Sequence, residues 1–132
     1  MMEFVDTYAL IAWVLTKDAD HHRVVTYLNS YSGKLLTTEW VLVELADALC
    51  SVKKRQIASV LIEFIRNSKR FQIVGYNQTV YQNGFDLFTS RLDKDWSLTD
   101  CISFAVMTQH KVTDALTADH HFEQAGFRVL FS

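Results

Sequence analysis

Short hydrophobic segments alternate with longer segments of helical periodicity along almost the whole of this chain. Five segments have the length and hydrophobicity of β-strands: residues 2–5, 34–37, 71–76, 112–117 and 128–131. Between them, apolar residues recur every three or four positions, as they do on the buried face of a helix. This alternation predicts an α/β fold, in which about five short parallel strands form a central sheet flanked by α-helices on both faces.

Helical periodicity fills most of the chain between these strands. One predicted helix follows Asp6, and six more cover residues 20–31, 39–52, 55–67, 77–92, 101–110 and 120–124. Asp20 and Thr38 are predicted N-caps, because their short polar side chains can accept hydrogen bonds from the first amide groups of a helix. Gly84 interrupts one of these patterns, and the helices on either side of residues 53–54 are expected to pair as an antiparallel hairpin.

The length and composition fit a single domain over residues 1–132. A chain of this size can bury roughly two thirds of the surface of its unfolded form, and 49% of its residues are hydrophobic. No apolar run approaches the roughly 18 residues of a membrane span, and residues 1–6 lack the basic and apolar regions of a secretory signal. We therefore expect a cytoplasmic protein with no membrane partner.

The two cysteines, Cys50 and Cys101, each lie within an apolar helical pattern. Neither has a second cysteine or a paired histidine at the spacing of a zinc motif. We expect two buried, reduced thiols that pack as small hydrophobic side chains. A disulfide between them is the open alternative.

Two aspartates directly follow predicted strands. Asp6 comes after Phe4 and Val5, and Asp119 comes after residues 115–118. In an open α/β sheet, ligands bind beyond the carboxyl ends of the strands. The sequence therefore favours Asp6 and Asp119 over other acidic residues as members of a functional site.

Two further acids are candidates on weaker grounds. Asp100 lies in the first turn of an apolar helix, where the helix dipole favours a carboxylate or a phosphate, but an ordinary helix-start aspartate fits equally well. Glu44 lies between Val43 and Leu45, and exposure on a helix surface is its default interpretation. If such carboxylates converge, their mutual repulsion requires compensation, which Mg²⁺ or Mn²⁺ supplies most readily because both ions prefer oxygen ligands.

Four segments together resemble the ordered motifs of the PIN domain (PilT N-terminus) family: residues 4–7, 38–44, 96–101 and 116–122. The resemblance spans nearly the whole chain. It implies a parallel-sheet domain with an acidic pocket, in which Asp6, Glu44, Asp100 and Asp119 match the acidic positions of the family. Thr7 matches the hydroxyl residue after the first aspartate, and Thr117 matches a hydroxyl position near the last.

The resemblance also implies a function. A PIN domain of this length is similar to VapC-type toxins, so we expect an endoribonuclease in which the four carboxylates hold Mg²⁺ or Mn²⁺ and a metal-activated water hydrolyses the RNA phosphodiester bond. Thr7 is expected to orient a ligand or water. The implied partners are an RNA substrate, a small antitoxin that occludes the pocket, and a second copy of the chain in a homodimer.

Other residues suggest binding roles that have commoner explanations. The pairs His21-His22 and His120-His121 have no spaced histidine partner, which favours solvated or helix-end side chains over transition-metal ligands. Because the net charge is −2, any attraction of RNA must be local. The candidate phosphate contacts are Lys53, Lys54, Arg55, Arg66, Lys69 and Arg70, and the candidate base-stacking residues are Trp40, Tyr76 and Trp96, although most such aromatic residues belong to a core.

Two rival functions remain at this stage. A haloacid-dehalogenase-like phosphatase also begins with a strand and an aspartate, but it needs a second aspartate two residues later, where this chain has Tyr8. A PIN-like module that binds RNA or protein without cleaving is the rival outside the enzyme class.

Overall fold

The computed structural model describes all 132 residues and contains five strands and seven helices. The strands are β1 (Met2–Val5), β2 (Lys34–Thr38), β3 (Phe71–Val74), β4 (Asp114–Leu116) and β5 (Arg128–Val129). The helices are α1 (Thr7–Val14), α2 (His21–Ser30), α3 (Glu39–Ala48), α4 (Arg55–Asn67), α5 (Gln78–Ser90), α6 (Leu98–Gln109) and α7 (His120–Gln124).

The five strands form one sheet in the order β3-β2-β1-β4-β5, and every neighbouring pair is parallel. This confirms the predicted α/β class and the parallel sheet. In the sheet, β2 and then β3 lie on one side of β1, and β4 and then β5 lie on its other side. The order therefore reverses between β1 and β4, and such a switch point opens a crevice at the carboxyl ends of the two strands.

The core is a continuous cluster of 29 buried hydrophobic residues on both faces of the sheet. Its aromatic centre joins three elements: Phe4 of β1 lies 6.2 Å from Phe122 of α7, and Phe104 of α6 meets Phe122 edge to face at 4.9 Å between ring centroids. Large buried rings contribute strongly to core stability and pack in few orientations. This cluster therefore fixes β1, α6 and α7 relative to one another.

The segment after α3 differs from the prediction. We expected this helix to continue to Val52, but α3 ends at Ala48 and Val52 is 93% exposed. The carbonyl of Ser51 instead accepts hydrogen bonds from the amides of Lys54 and Arg55 at 3.0 and 2.9 Å, which forms the turn that begins α4. The predicted contact between the two helices is present, since α3 packs against α4.

The early end of α3 also changes the environment of one cysteine. Both cysteines are free, so the disulfide alternative is wrong. Cys101 is buried in α6 as expected, but Cys50 is exposed because it lies in the turn beyond α3.

The two predicted N-caps behave differently. Thr38 caps α3, because its hydroxyl accepts a hydrogen bond from the Val41 amide at 3.1 Å. Asp20 precedes α2, but its carboxylate accepts from the Tyr8 hydroxyl and pairs with Arg23 at 2.9 Å instead of capping the helix. The Tyr8 hydroxyl and the Arg23 guanidinium thus bind the Asp20 carboxylate in place of the predicted backbone amide.

The helices are short. The longest, α4 and α5, have 13 residues each. None of the seven combines the length and the hydropathy that a membrane crossing requires.

Candidate metal centre

Asp6 and Asp119 lie at the crevice between the carboxyl ends of β1 and β4. Asp6 directly follows β1 and precedes α1, and Asp119 follows β4 and precedes α7. One hydroxyl connects them: Thr117 Oγ1 donates to Asp6 Oδ2 at 3.0 Å and accepts from the Asp119 amide at 3.1 Å. Topology alone predicted that these two acids would be neighbours, and the structure brings them together.

Asp6 is the most buried of the four acids, with 7% of its surface exposed. It occupies the N-cap position of α1, but its side chain makes no capping hydrogen bond to that helix. Burial raises the pKa of Asp6 to about 7, while the hydrogen bond from the Thr117 hydroxyl opposes this rise. The charges of Asp100 and Glu44 raise this pKa further.

Glu44 lies in the second turn of α3 and is half-buried. Its Oε1 accepts a hydrogen bond from the hydroxyl of Thr7, the first residue of α1. The default interpretation of Glu44 as a freely solvated helix residue therefore does not describe it. The same hydrogen bond fixes the Thr7 side chain and holds the Glu44 carboxylate near the carboxyl end of β1.

Asp100 has two roles at the start of α6. Its Oδ2 accepts from the Ser97 amide at 3.2 Å and Ser97 Oγ accepts from the Asp100 amide at 3.0 Å, which makes a capping box. Burial raises the pKa of Asp100, and the charge of Asp119 raises it further. The capping box confirms the helix-start interpretation, and the same carboxylate also lies beside His121, 3.4 Å from its Nδ1.

One residue of the site was not among our candidates. His121 Nδ1 lies 3.4 Å from Asp100 Oδ2 and 3.4 Å from Asp119 Oδ1, and its side chain is only 21% exposed. His120 fits the expected solvated interpretation, with a side chain that is 72% exposed. In the sequence, only the position of these two histidines directly after Asp119 pointed to the site. The sequence does not show which of the two imidazole rings turns toward the carboxylates.

The donor set fits a hard divalent cation. Four carboxylates gather at one edge of the sheet, and no Lys or Arg side chain forms an ion pair with any of them. Mutual repulsion among buried carboxylates is costly unless a cation compensates it. Oxygen ligands of this type are the ones that Mg²⁺ and Mn²⁺ prefer.

The candidate phosphate-binding residues form no contact with the four acids. Arg55 donates to the Cys50 carbonyl at 2.7 Å, Arg66 pairs with Glu39 at 3.1 Å, and Arg70 donates to the Leu28 carbonyl at 2.9 Å. These arginines therefore serve the fold in this structure.

The three aromatic candidates divide into two groups. Trp96 is 5% exposed, packs edge to face on Phe104 and donates to Gln124, so it belongs to the core. Trp40 and Tyr76 form a tilted pair with ring centroids 5.8 Å apart, and Tyr76 is 70% exposed. Trp40 lies one helical turn before Glu44 on α3, so one ring of this pair and one of the four acids are neighbours on the same helix.

Thr117→Val is expected to destabilise the protein by about 1–2 kcal/mol, because the Asp119 amide loses its acceptor and the Asp6 carboxylate loses a donor. Valine has the same shape as threonine, so the packing of this fully buried position is retained. Urea denaturation measures the change. Thr117→Ser keeps the hydroxyl and serves as the control, and equal stability of the valine variant and the parent would refute the bridging role of Thr117.

The comparisons with known proteins agree with this architecture. The PIN domain family matches residues 4–128. The toxin VapC20 of Mycobacterium tuberculosis, described as cleaving the sarcin-ricin loop, superposes with a TM-score of 0.87 at 24% identity over 96% of each chain. No curated protein sequence matches the chain.

Two further solved structures have the same fold. FitAcB from Neisseria gonorrhoeae superposes with a TM-score of 0.69 at 20% identity, covering 98% of this chain and 96% of that chain. VapBC2 from Rickettsia felis, bound to a DNA fragment from its promoter, gives a TM-score of 0.69 at 12% identity with the same coverage. At these identities the likeness establishes the fold, while the family match covers nearly the entire sequence, and the chain belongs to the PIN domain family.

Proposed function

We propose that this protein is a divalent-metal-dependent endoribonuclease and the toxin of a type II toxin–antitoxin pair. The observation that carries the proposal is the convergence of Asp6, Glu44, Asp100 and Asp119 with no Lys or Arg ion pair among them. A site of this charge binds a cation and brings it to the carboxyl edge of the sheet, where a substrate phosphate can approach it. Family membership supports nuclease chemistry at this site.

Each residue of the site has a defined task in this proposal. Asp6, Asp100, Asp119 and Glu44 would hold Mg²⁺ or Mn²⁺, which supplies an activated water and neutralises charge on the phosphate. The Thr7 hydroxyl keeps the Glu44 carboxylate turned toward Asp6. Thr117 holds one oxygen of Asp6 and leaves the other free.

RNA as the substrate and a small antitoxin as the partner are supported by the proteins of similar fold. VapC20 is described as a toxin that cleaves the sarcin-ricin loop, and a toxin–antitoxin complex from Klebsiella pneumoniae contains a chain of similar fold. VapBC2 and FitAB are described as bound to DNA fragments. A homodimer and an antitoxin that covers the acidic edge belong to the same proposal. Because the net charge is −2, the bound cation must supply much of the local attraction for RNA.

The test of this function is cleavage of structured and single-stranded RNA by the purified chain. We expect cleavage with Mn²⁺ or Mg²⁺ and none with EDTA, and we expect Glu44→Gln to reduce the rate by roughly 100-fold or more. Glu63→Gln, on the exposed surface of α4, is the matched control and should cleave like the parent. If the parent leaves all RNAs intact in Mn²⁺ while free of any copurified protein, the chain is a binding module and not a nuclease.

A further inference from the structure

The imidazole of His121 occupies a position between two of the proposed ligands. Its Nδ1 is 3.4 Å from Asp100 Oδ2 and 3.4 Å from Asp119 Oδ1. The atom is buried and has no hydrogen-bond partner. A buried polar nitrogen without a partner is unfavourable, and such atoms in folded proteins call for an explanation.

The position of His121 is fixed by the backbone. Its amide donates to Asp119 Oδ1 at 2.9 Å, which anchors the first turn of α7. The next residue, Phe122, is fully buried and packs against Phe4 and Phe104. The ring is therefore held at the carboxylates by the same aromatic core that fixes β1 and α6, and not by a flexible loop.

We infer that His121 Nδ1 is a nitrogen ligand of the metal ion that Asp100 and Asp119 hold; this rests on the proposed function. Donor atoms in adjacent positions around an octahedral ion, at roughly 2.1 Å from it, lie about 3 Å apart. The two 3.4 Å separations are close to that value. Ligation gives the orphaned nitrogen its missing partner.

A nitrogen ligand has a consequence for metal choice. Both ions prefer oxygen ligands, but Mg²⁺ gives up its waters reluctantly, whereas Mn²⁺ is a first-row transition metal that accepts an imidazole more readily. His121 should therefore bias the site toward Mn²⁺ over Mg²⁺. The possible ligand atoms of Asp119, His120 and His121 all lie within 4.8 Å of one another. Only His121 also approaches Asp100, whereas the His120 side chain is 72% exposed, so His120 is the neighbouring comparison.

Measured metal affinities test this inference independently of RNA cleavage. Isothermal titration of the full chain with Mn²⁺ and with Mg²⁺ should show that His121→Ala weakens Mn²⁺ binding by roughly 10- to 100-fold and Mg²⁺ binding by much less. His120→Ala should leave both affinities unchanged. An equal loss for both ions in His121→Ala would overturn the inference, since it would indicate a general effect on the carboxylates.

Pulsed EPR of bound Mn²⁺ tests the same bond with His121 in place and does not depend on the folding of His121→Ala. Wild-type protein and the His120→Ala variant should both show a directly bonded ¹⁴N coupling, and labelling with ¹⁵N-histidine should convert it to a ¹⁵N coupling in both. Bound Mn²⁺ without nitrogen coupling would overturn the role of His121 and leave the carboxylate site intact. Failure to bind Mn²⁺ at all would refute both this inference and the proposed function.

Discussion

Asp6→Asn is expected to abolish RNA cleavage, by roughly 1,000-fold or more, while making the metal-free protein more stable at pH 8. Asp6 is the acid most buried in the crevice, and it contributes a charged oxygen to the proposed metal centre. In the absence of metal, the same charge is an unfavourable feature of the folded state, as its raised pKa of about 7 indicates. An asparagine keeps the acceptor for the Thr117 hydroxyl but removes the charge.

The pH dependence of stability follows from the pKa of about 7 in the folded protein and 3.8 for an ordinary aspartate. Below pH 3.8 both states hold the proton, and Asp6 has no effect. Between these two pKa values the unfolded chain releases the proton that the folded chain retains, so the free energy of unfolding falls as pH rises. Above pH 7 this loss of folding stability is complete. It amounts to at most about 4 kcal/mol, because each unit of difference between the two pKa values corresponds to about 1.4 kcal/mol.

Urea denaturation in EDTA at pH 5 and pH 8 measures this effect. The difference in stability between Asp6→Asn and the parent should be larger at pH 8, and added Mn²⁺ should stabilise the parent but not the variant. Asp47→Asn, on the exposed side of α3, is the matched control and should follow the parent in cleavage and in stability. If a folded Asp6→Asn variant still cleaves RNA, the role of Asp6 in the metal centre is refuted.

Much of the fold could be predicted from hydrophobic periodicity, because buried parallel strands are short and uniformly apolar. The boundaries were less accurate, since they depend on which backbone groups find partners. Residues 75–76, predicted as the end of a strand, lie beyond β3, whose last residue, Val74, pairs with Thr38. Similarly, β5 ends at Val129, although the amides of Leu130 and Phe131 still donate to the carbonyls of Ala115 and Thr117 at 3.1 Å each.

The acids of the site were predictable to different degrees. Asp6 and Asp119 follow from strand order, because the carboxyl ends of neighbouring parallel strands share one edge. Glu44 needed the resemblance, since its hydrogen bond with Thr7 joins residues that are 37 positions apart in the sequence. The inward turn of His121 could not be predicted, because it depends on how Phe122 anchors α7 to the core.

Gly84→Ala is expected to destabilise the protein by about 2–3 kcal/mol, although alanine is the better helix former by about 1 kcal/mol. Gly84 lies within α5 at the contact with α6, and a Cβ there would lie 2.4 Å from Ile102 Cγ1 and 2.8 Å from Ile102 Cα. A flexible side chain could move away, but the second contact is with backbone. The two helices must therefore separate, and α6 carries Asp100 only two residues before Ile102.

Separation of α5 and α6 should also disturb the metal centre, which a purely local packing defect would not do. We expect Gly84→Ala to lower the midpoint of urea denaturation and to weaken Mn²⁺ binding in the fraction that remains folded. Gly75→Ala is the matched control, because no atom lies within 4 Å of a Cβ at that position, and its stability should change by less than about 0.5 kcal/mol. Unchanged stability of Gly84→Ala would mean that α5 and α6 can separate freely, and then the position of Asp100 would not depend on their close contact.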